Sequence, residues 1–308
     1  MTFALEFTED PRAFLARAGG LLEQDPVVST VVASVTARAV DALERDDAAP
    51  TYPRWWLTVV DEASGDPVGV AMRTAPFAPH PLFVLPLPEP AVLLLAAALV
   101  ERGEAVSALN GALPAARQLA TELARRTGRR AHVHEHTRLH VLERLVEPRV
   151  APNGRPRVAV PADAELALAW FRAFHTDAAA QAGRMPPEGE GEVFVEEDID
   201  ERIAAGRIWL WEDMLGTPVS LVGFNAPSFG VARVGPVYTP GPQRGRGYGS
   251  ALTAHVSRLL RDTGSRVCLF TDQANPTSNK IYAAIGYVPV VDMANLVISS
   301  TVTTRARA

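Results

Sequence analysis

Arg244, Gly245, Arg246, Gly247, Tyr248 and Gly249 alternate glycine with charged and aromatic residues, and Ser250 follows. Glycine loses the most conformational freedom on folding, so such a run is kept where a backbone turns tightly or where something lies against it. The stretch before it, VARVGPVYTP (231–240), has the β-branched and aromatic pattern of a strand. The stretch after it places Leu252, Val256, Leu259 and Leu260 on one helical face. The glycines therefore stand in a strand-to-helix turn. There the unpaired N–H groups of the helix start, the helix dipole and the bare backbone all favour an anion. Arg244 and Arg246 add charge, and pyrophosphate is the anion that best fills such a row of donors.

Two nucleotide readings fail on spacing. A P-loop needs G-x-x-x-x-G-K-[ST], and the only lysine of the chain is Lys280. The dinucleotide fingerprint needs G-x-G-x-x-G and a carboxylate about 20 residues on. This loop runs G-x-G-x-G; Asp272 stands at a suitable strand end, but a second pattern follows it that a dinucleotide fold does not require. A glycine turn without a ligand stays open at this point.

The second pattern is LFTDQANPTSNKIYAAIGY, residues 269–287. Together with the strand VGPVYT and the loop Arg244-x-x-Gly247-x-Gly249, it resembles the acyl-CoA-binding core of the GNAT superfamily of N-acetyltransferases. The chain looks most like bacterial acetyltransferases with an FR47-like module. The motifs span 234–287, and the matching element order covers roughly 155–300. The resemblance implies acetyl-CoA, or another short acyl-CoA, as co-substrate, with no metal. The backbone of Arg244, Gly245, Arg246, Gly247, Tyr248, Gly249 and Ser250 would hold its pyrophosphate. Val237 and Thr239 would pair with the pantetheine arm as an added strand would. A backbone N–H near Val237 or Tyr238 would polarise the thioester carbonyl. Asn275 would bond the pantetheine, with Ser278 and Asn279 near the phosphates or arm. Tyr282 stands where the family places its general acid.

The implied reaction is direct attack of a primary amine on the thioester through a tetrahedral intermediate. A departing thiolate accepts a proton from a weak acid such as a tyrosine, whose ordinary pKa is about 10. Many family members carry a glutamate base on the strand before the loop, and here that strand offers only Arg233. Glu212, Asp213, the stretch 192–201 and a path through ordered water are the alternatives. Two other readings stay beside this one. The first is a non-catalytic acyl-CoA or CoA sensor on the same scaffold. The second is a two-domain acetyltransferase like mycothiol synthase, for which no specific motif is present. The acceptor would be a small-molecule or peptide amine.

The elements that position these residues repeat. DEASGDPVGVAMRTAP (61–76) lies over EDMLGTPVSLVGFNAP (212–227) without a gap, matching Gly65, Pro67, Val68, Ala75 and Pro76 with Gly216, Pro218, Val219, Ala226 and Pro227. The spacing predicts helices at 10–23 and 27–46, strands at 55–60, 68–73 and 82–85, helix 90–102, strand 105–109, helix 112–127 and strand 131–146. It then predicts helices at 162–178 and 196–205, strands at 207–212, 218–225 and 231–239, helix 248–262, strand 266–271, helix 276–285 and strand 287–299. An internal duplication follows, with 147–161 (EPRVAPNGRPRVAVP) as linker. Aligning the halves leaves the first about eight residues short at the glycine loop. The expected fold class is α/β (α+β), with two GNAT-like domains, each a mixed, mostly antiparallel sheet flanked by helices. The first, 1–150, would lack the CoA loop, and the second, 155–308, would be catalytic.

Composition narrows the class. A net charge of −5 in 308 residues argues against general nucleic-acid or membrane-surface binding. Cys268 is the one cysteine, which excludes an internal disulfide framework and fits a cytoplasmic protein. The start, MTFALEFTEDPRAF, lacks a signal pattern, and the longest apolar run, 91–100, is about half a membrane span. His132, His134 and His136 share one strand face, which reads either as a metal site or as a polar face. The acidic stretch 186–198 would cover the acceptor site or be a solvated loop. Trp55, Trp56, Trp209 and Trp211 fall on paired strands as core or interface residues. Oligomeric state has no signature.

Overall fold

The computed structural model describes residues 2–52, 54–181, 183 and 194–300. The acidic stretch read at 186–198 lies outside the described residues from 186 to 193. The chain divides into two compact units: Met1–Asp25, Val31–Thr137 and Val291–Ala308 form one, and Pro26–Thr30 with Arg138–Val290 the other.

One element order occurs twice. In the first half come β1 (Phe3–Thr8), α1 (Pro11–Gln24), α2 (Thr30–Glu44), β2 (Trp55–Asp61), β3 (Pro67–Arg73), β4 (Leu82–Val84), α3 (Glu89–Glu101), β5 (Ala108–Ala112), α4 (Ala115–Thr127) and β6 (Arg129–Leu142). In the second come β7 (Arg155–Val158), α5 (Ala164–Gln181), α6 (Glu196–Ala204), β8 (Ile208–Glu212), β9 (Pro218–Phe224), β10 (Val231–Tyr238), α7 (Tyr248–Asp262), β11 (Arg266–Asp272), α8 (Pro276–Ala284) and β12 (Tyr287–Ser300). The stretch expected as linker, 147–161, is therefore part strand. Arg155–Val158 pairs antiparallel with β8, Pro156 opposite Trp211. Pro156 belongs to an edge strand, where a missing N–H breaks no ladder. The first strand, FALEFT, was not anticipated either; its register runs from Phe3↔Asp61 to Thr8↔Trp56.

In unit 1 the strands stand in the order β1-β2-β3-β4-β5-β12-β6. β5 is followed not by β6 but by the last strand of the chain, with Met293 opposite Ala112 and Val297 opposite Ala108. One core holds the unit together. Leu95 and Leu99 of α3 and Leu119 of α4 meet Leu57, Leu82, Leu109 and Leu296 of the sheet. Trp56 is fully buried, its indole N–H donating to Thr36 Oγ1 at 2.9 Å.

In unit 2 the order is β6-β11-β10-β9-β8-β7. The sheet is covered on both faces. α7 buries Leu252 and Val256, and the end of α8 buries Tyr282 and the capping Ile285, in one core with Val219, Val222, Val267 and Leu269. α5 and α6 bury Phe171, Ile199 and Ile203 against Ile208, Leu210 and Leu221. The architecture is mixed α/β with mostly antiparallel pairing, while β4–β5 and β10–β11 pair in parallel. Among the described residues no helix is long and apolar enough to cross a membrane.

Candidate active site

The glycine loop joins the end of β10 to α7, as its composition demands. Gly245 and Gly247 have φ of +76° and +84°, in the left-handed region that L side chains avoid. Gly247 is the N-cap of α7 and offers no side chain, so no cap bond forms. The first intrahelical bond of the turn runs from Ala251 N to Gly247 O, which leaves the earlier N–H groups without a helical acceptor. A Cβ placed on Gly245 or Gly247 meets nothing within 4 Å, so the loop faces open space. On Gly249 it meets Thr239 Oγ1 at 3.2 Å and Val237 Cγ1 at 3.8 Å; here glycine lets α7 lie close on β10. The site thus has bare backbone donors at a helix start, which is what a pyrophosphate requires.

β10 is bent where the loop begins. Its parallel register with β11 runs from Val231↔Arg266 to Val234↔Leu269, and 235–238 lie past it. Against β9 the register shifts between Val234 and Val237, the mark of a bulge. Ser220 fixes the strand end, its hydroxyl 3.0 Å from Tyr238 O and 2.9 Å from Thr239 Oγ1. Val237 faces Gly249 and α7, whereas the Tyr238 ring turns to α5, 5.8 Å from Trp170. Tyr238 donates to Asp177 Oδ2 at 3.0 Å. Burial, and then this carboxylate, push its phenol above the ordinary value.

The first half closes the same place. β4 keeps its parallel register with β5 through Val84↔Gly111. A Cβ on Gly111 would stand 2.1 Å from Val84 O. Residues 85–88 join β4 to α3, against 239–247 between β10 and α7. The shortfall lies partly in this connection and partly in β4 itself, which has 3 residues to the 8 of β10. Leu87 folds onto Gly69, the position that Ser220 holds in the second half.

α8 follows β11. Asn275, buried, is its N-cap: Oδ1 accepts from Ser278 N at 3.1 Å. Asn279 stitches the turn, its Nδ2 donating to Asp272 O at 3.1 Å and Asn275 O at 2.9 Å. Tyr282 is buried on α8, edge-on to Tyr287 at 6.0 Å. Burial raises its phenol pKa well above the ordinary value, so it stays protonated.

Neither named carboxylate of the hairpin is placed as a base. Glu212 is buried against Arg157 Nε at 2.5 Å and Arg155 Nε at 3.2 Å, and these guanidiniums hold it below the usual carboxylate range. A carboxylate so paired is a poor proton acceptor. Asp213 closes the turn, accepting from Leu215 N and Thr217 N. Asp177 is the acid that sequence reasoning missed. Its partners Tyr238 and Arg244 are distant in the chain, and no motif marks it. Cys268 is buried beside Thr30, and burial raises its thiol. His132, His134 and His136 lie on β6, and among the described residues no cluster of three His, Cys, Asp or Glu is placed to hold a metal ion.

Residues 228–293 match the family model described as FR47-like protein. About 95% of the chain aligns with solved GNAT structures. The chain has the GNAT fold, with an FR47-like segment. A GCN5-related N-acetyltransferase from Sphaerobacter thermophilus is 18% identical, covering 96% of this chain and 94% of its own, at a TM-score of 0.58. A Drosophila protein is 14% identical over 96% and 98%, at 0.61. A tandem GNAT protein from the clavulanic acid biosynthesis pathway, without acetyl-CoA, is 14% identical over 95% and 98%, at 0.53. At these identities the likeness is one of fold. A search of curated proteins found no matching sequence.

Proposed function

We propose that the chain is an acyl-CoA-dependent N-acyltransferase that moves an acetyl group to a primary amine, with one acyl-CoA site, in the second half. One observation carries this reading. The β10–β11 register ends at Val234↔Leu269 beside an uncapped, open helix start, while the equivalent β4–β5 pair runs closed to Gly111. The first half, 1–150, is then a domain without a CoA loop, and 155–308 the catalytic one. The fold it shares with a GCN5-related N-acetyltransferase supports the reaction class.

The open backbone at Gly245 and Gly247 and the donors of Tyr248, Gly249 and Ser250 fit a pyrophosphate, with Arg246 exposed beside them. Val237, Tyr238 and Thr239 present backbone past the end of the β11 register, where an extended arm adds as a strand. Asn275 Nδ2, 3.5 Å from Gln181 Oε1, has a second N–H to offer that arm while Oδ1 caps α8. The acyl-CoA supplies an electrophilic thioester and a thiol leaving group. Tyr282 holds a proton at its hydroxyl for the departing sulfur. β10 carries no carboxylate, so the amine loses its proton through ordered water or arrives neutral.

The test is release of free thiol from acetyl-CoA across a panel of primary amines. Amine-dependent release with matching acetylated product is expected. Binding of acetyl-CoA with no turnover on any amine would favour the sensor reading instead.

A further inference from the structure

Arg244 belongs to the glycine loop, yet its guanidinium serves α5. Nη2 donates to Asp177 Oδ2 at 2.6 Å, and Nε donates to Thr239 O at 2.9 Å. The Gln181 amide, with its oxygen turned to the arginine, accepts from both terminal nitrogens at 3.3 Å. Arg246, two residues on, is exposed as Arg244 is, so what sets the two loop arginines apart is the ion pair that Arg244 makes with Asp177. Asp177 also accepts from Tyr238, whose ring lies against Trp170. Trp170, Asp177 and Gln181 are seven and eleven positions apart on α5, the spacing of one helical face. That face covers β10 on the side opposite α7, as the Tyr238 and Val237 side chains show.

We propose that Asp177 is the carboxylate that selects a cationic acceptor amine, and that Arg244 occupies it until the pyrophosphate of CoA draws the arginine away. This rests on the acyl-CoA reading above. A pyrophosphate carries more charge than one carboxylate and takes a guanidinium bidentately. The Arg244–Asp177 pair is about one-third exposed on each side, so little holds it against that competition. Once released, Asp177 keeps Tyr238 and presents a half-exposed carboxylate beside the Trp170 and Tyr238 rings, a setting that favours an ammonium.

Two arms test this. Calorimetric titration with CoA at low salt reads the first. Asp177→Asn removes the competitor for Arg244, so CoA binds about two- to fivefold tighter, the scale of an exposed ion pair. In an Arg244→Gln background the same substitution changes nothing. Unchanged or weaker binding in Asp177→Asn, or a gain that survives in Arg244→Gln, overturns the proposal. Asp177→Ser serves if the asparagine variant misfolds. The second arm compares 1,4-diaminobutane with 4-amino-1-butanol as acceptors. The diamine is favoured about tenfold, through KM, and Asp177→Asn abolishes the preference. No preference in the parent protein, or one kept by the variant, overturns it. Failure of the parent protein to bind CoA at all would instead strike the acyl-CoA reading itself.

Discussion

Gly111 lies so close against Val84 that a Cβ on it would stand 2.1 Å from the Val84 carbonyl oxygen and 3.0 Å from the backbone nitrogen. This contact shuts the first half where the second half opens. Gly111→Ala must push two paired strands apart, and overpacking of this kind costs about 1–3 kcal/mol. Denaturant unfolding should show that loss, while CoA affinity stays at the parent value, since the proposed acyl-CoA site lies in the second half. A weakened CoA affinity in this variant would place the first half in the site.

Gly247 is the reverse case, with open space but φ +84°. Gly247→Ala meets no atom and still costs about 1–2 kcal/mol, because an L residue is strained there. It also turns the donors at the start of α7. Thermal unfolding should fall modestly, and CoA binding should weaken by at least tenfold. Equal losses in fold and binding would make the glycine merely structural.

Tyr282→Phe removes one hydroxyl from a buried ring. Turnover at saturating acetyl-CoA should fall about 10²–10⁴-fold with CoA binding retained, if the phenol is the acid. The raised pKa fixes the pH dependence. The group stays protonated past the ordinary tyrosine value of about 10, so it contributes no alkaline limb to the rate below that pH. The same burial bears on stability. The folded state prefers the neutral phenols of Tyr282 and Tyr287, both of which are raised, so this contribution is whole below about pH 10 and is lost as pH rises beyond it.

Arg157 makes the opposite prediction at acid pH. It binds Asp163 at 2.6 and 2.9 Å and Glu212 at 2.5 Å, holding both below the usual carboxylate range. Their contribution is present above about pH 4 and is lost as pH falls through the depressed folded values. Arg157→Gln should lower the urea midpoint at pH 7 and shrink the drop between pH 7 and pH 3. An unaltered acid profile would remove this cluster from the account.

Much of this was legible locally. The unbroken apolar and β-branched run WWLTVVD and the apolar face of YGSALTAHVSRLLRD set β2 and α7 without any partner, and the spaced glycines 245, 247 and 249 announced the loop. What escaped depends on pairing between distant residues. Prolines made 147–161 read as linker, yet an edge strand tolerates Pro156. Nothing in β12 announces β5 as its neighbour, since any alternating strand satisfies that register. The bulge at Val234 and Val237 exists only against β9. Asp177 is unremarkable until Tyr238 and Arg244 are brought to it. Glu212 failed as a base for the same reason in reverse, because its arginines lie more than fifty residues earlier in the chain.

The central claim is one acyl-CoA site per chain, in the second half. Isothermal titration of the full chain with acetyl-CoA measures it directly. The account predicts a stoichiometry of one, with an affinity at least tenfold weaker in Gly247→Ala and untouched in Gly111→Ala. A stoichiometry of two, or none, would contradict it.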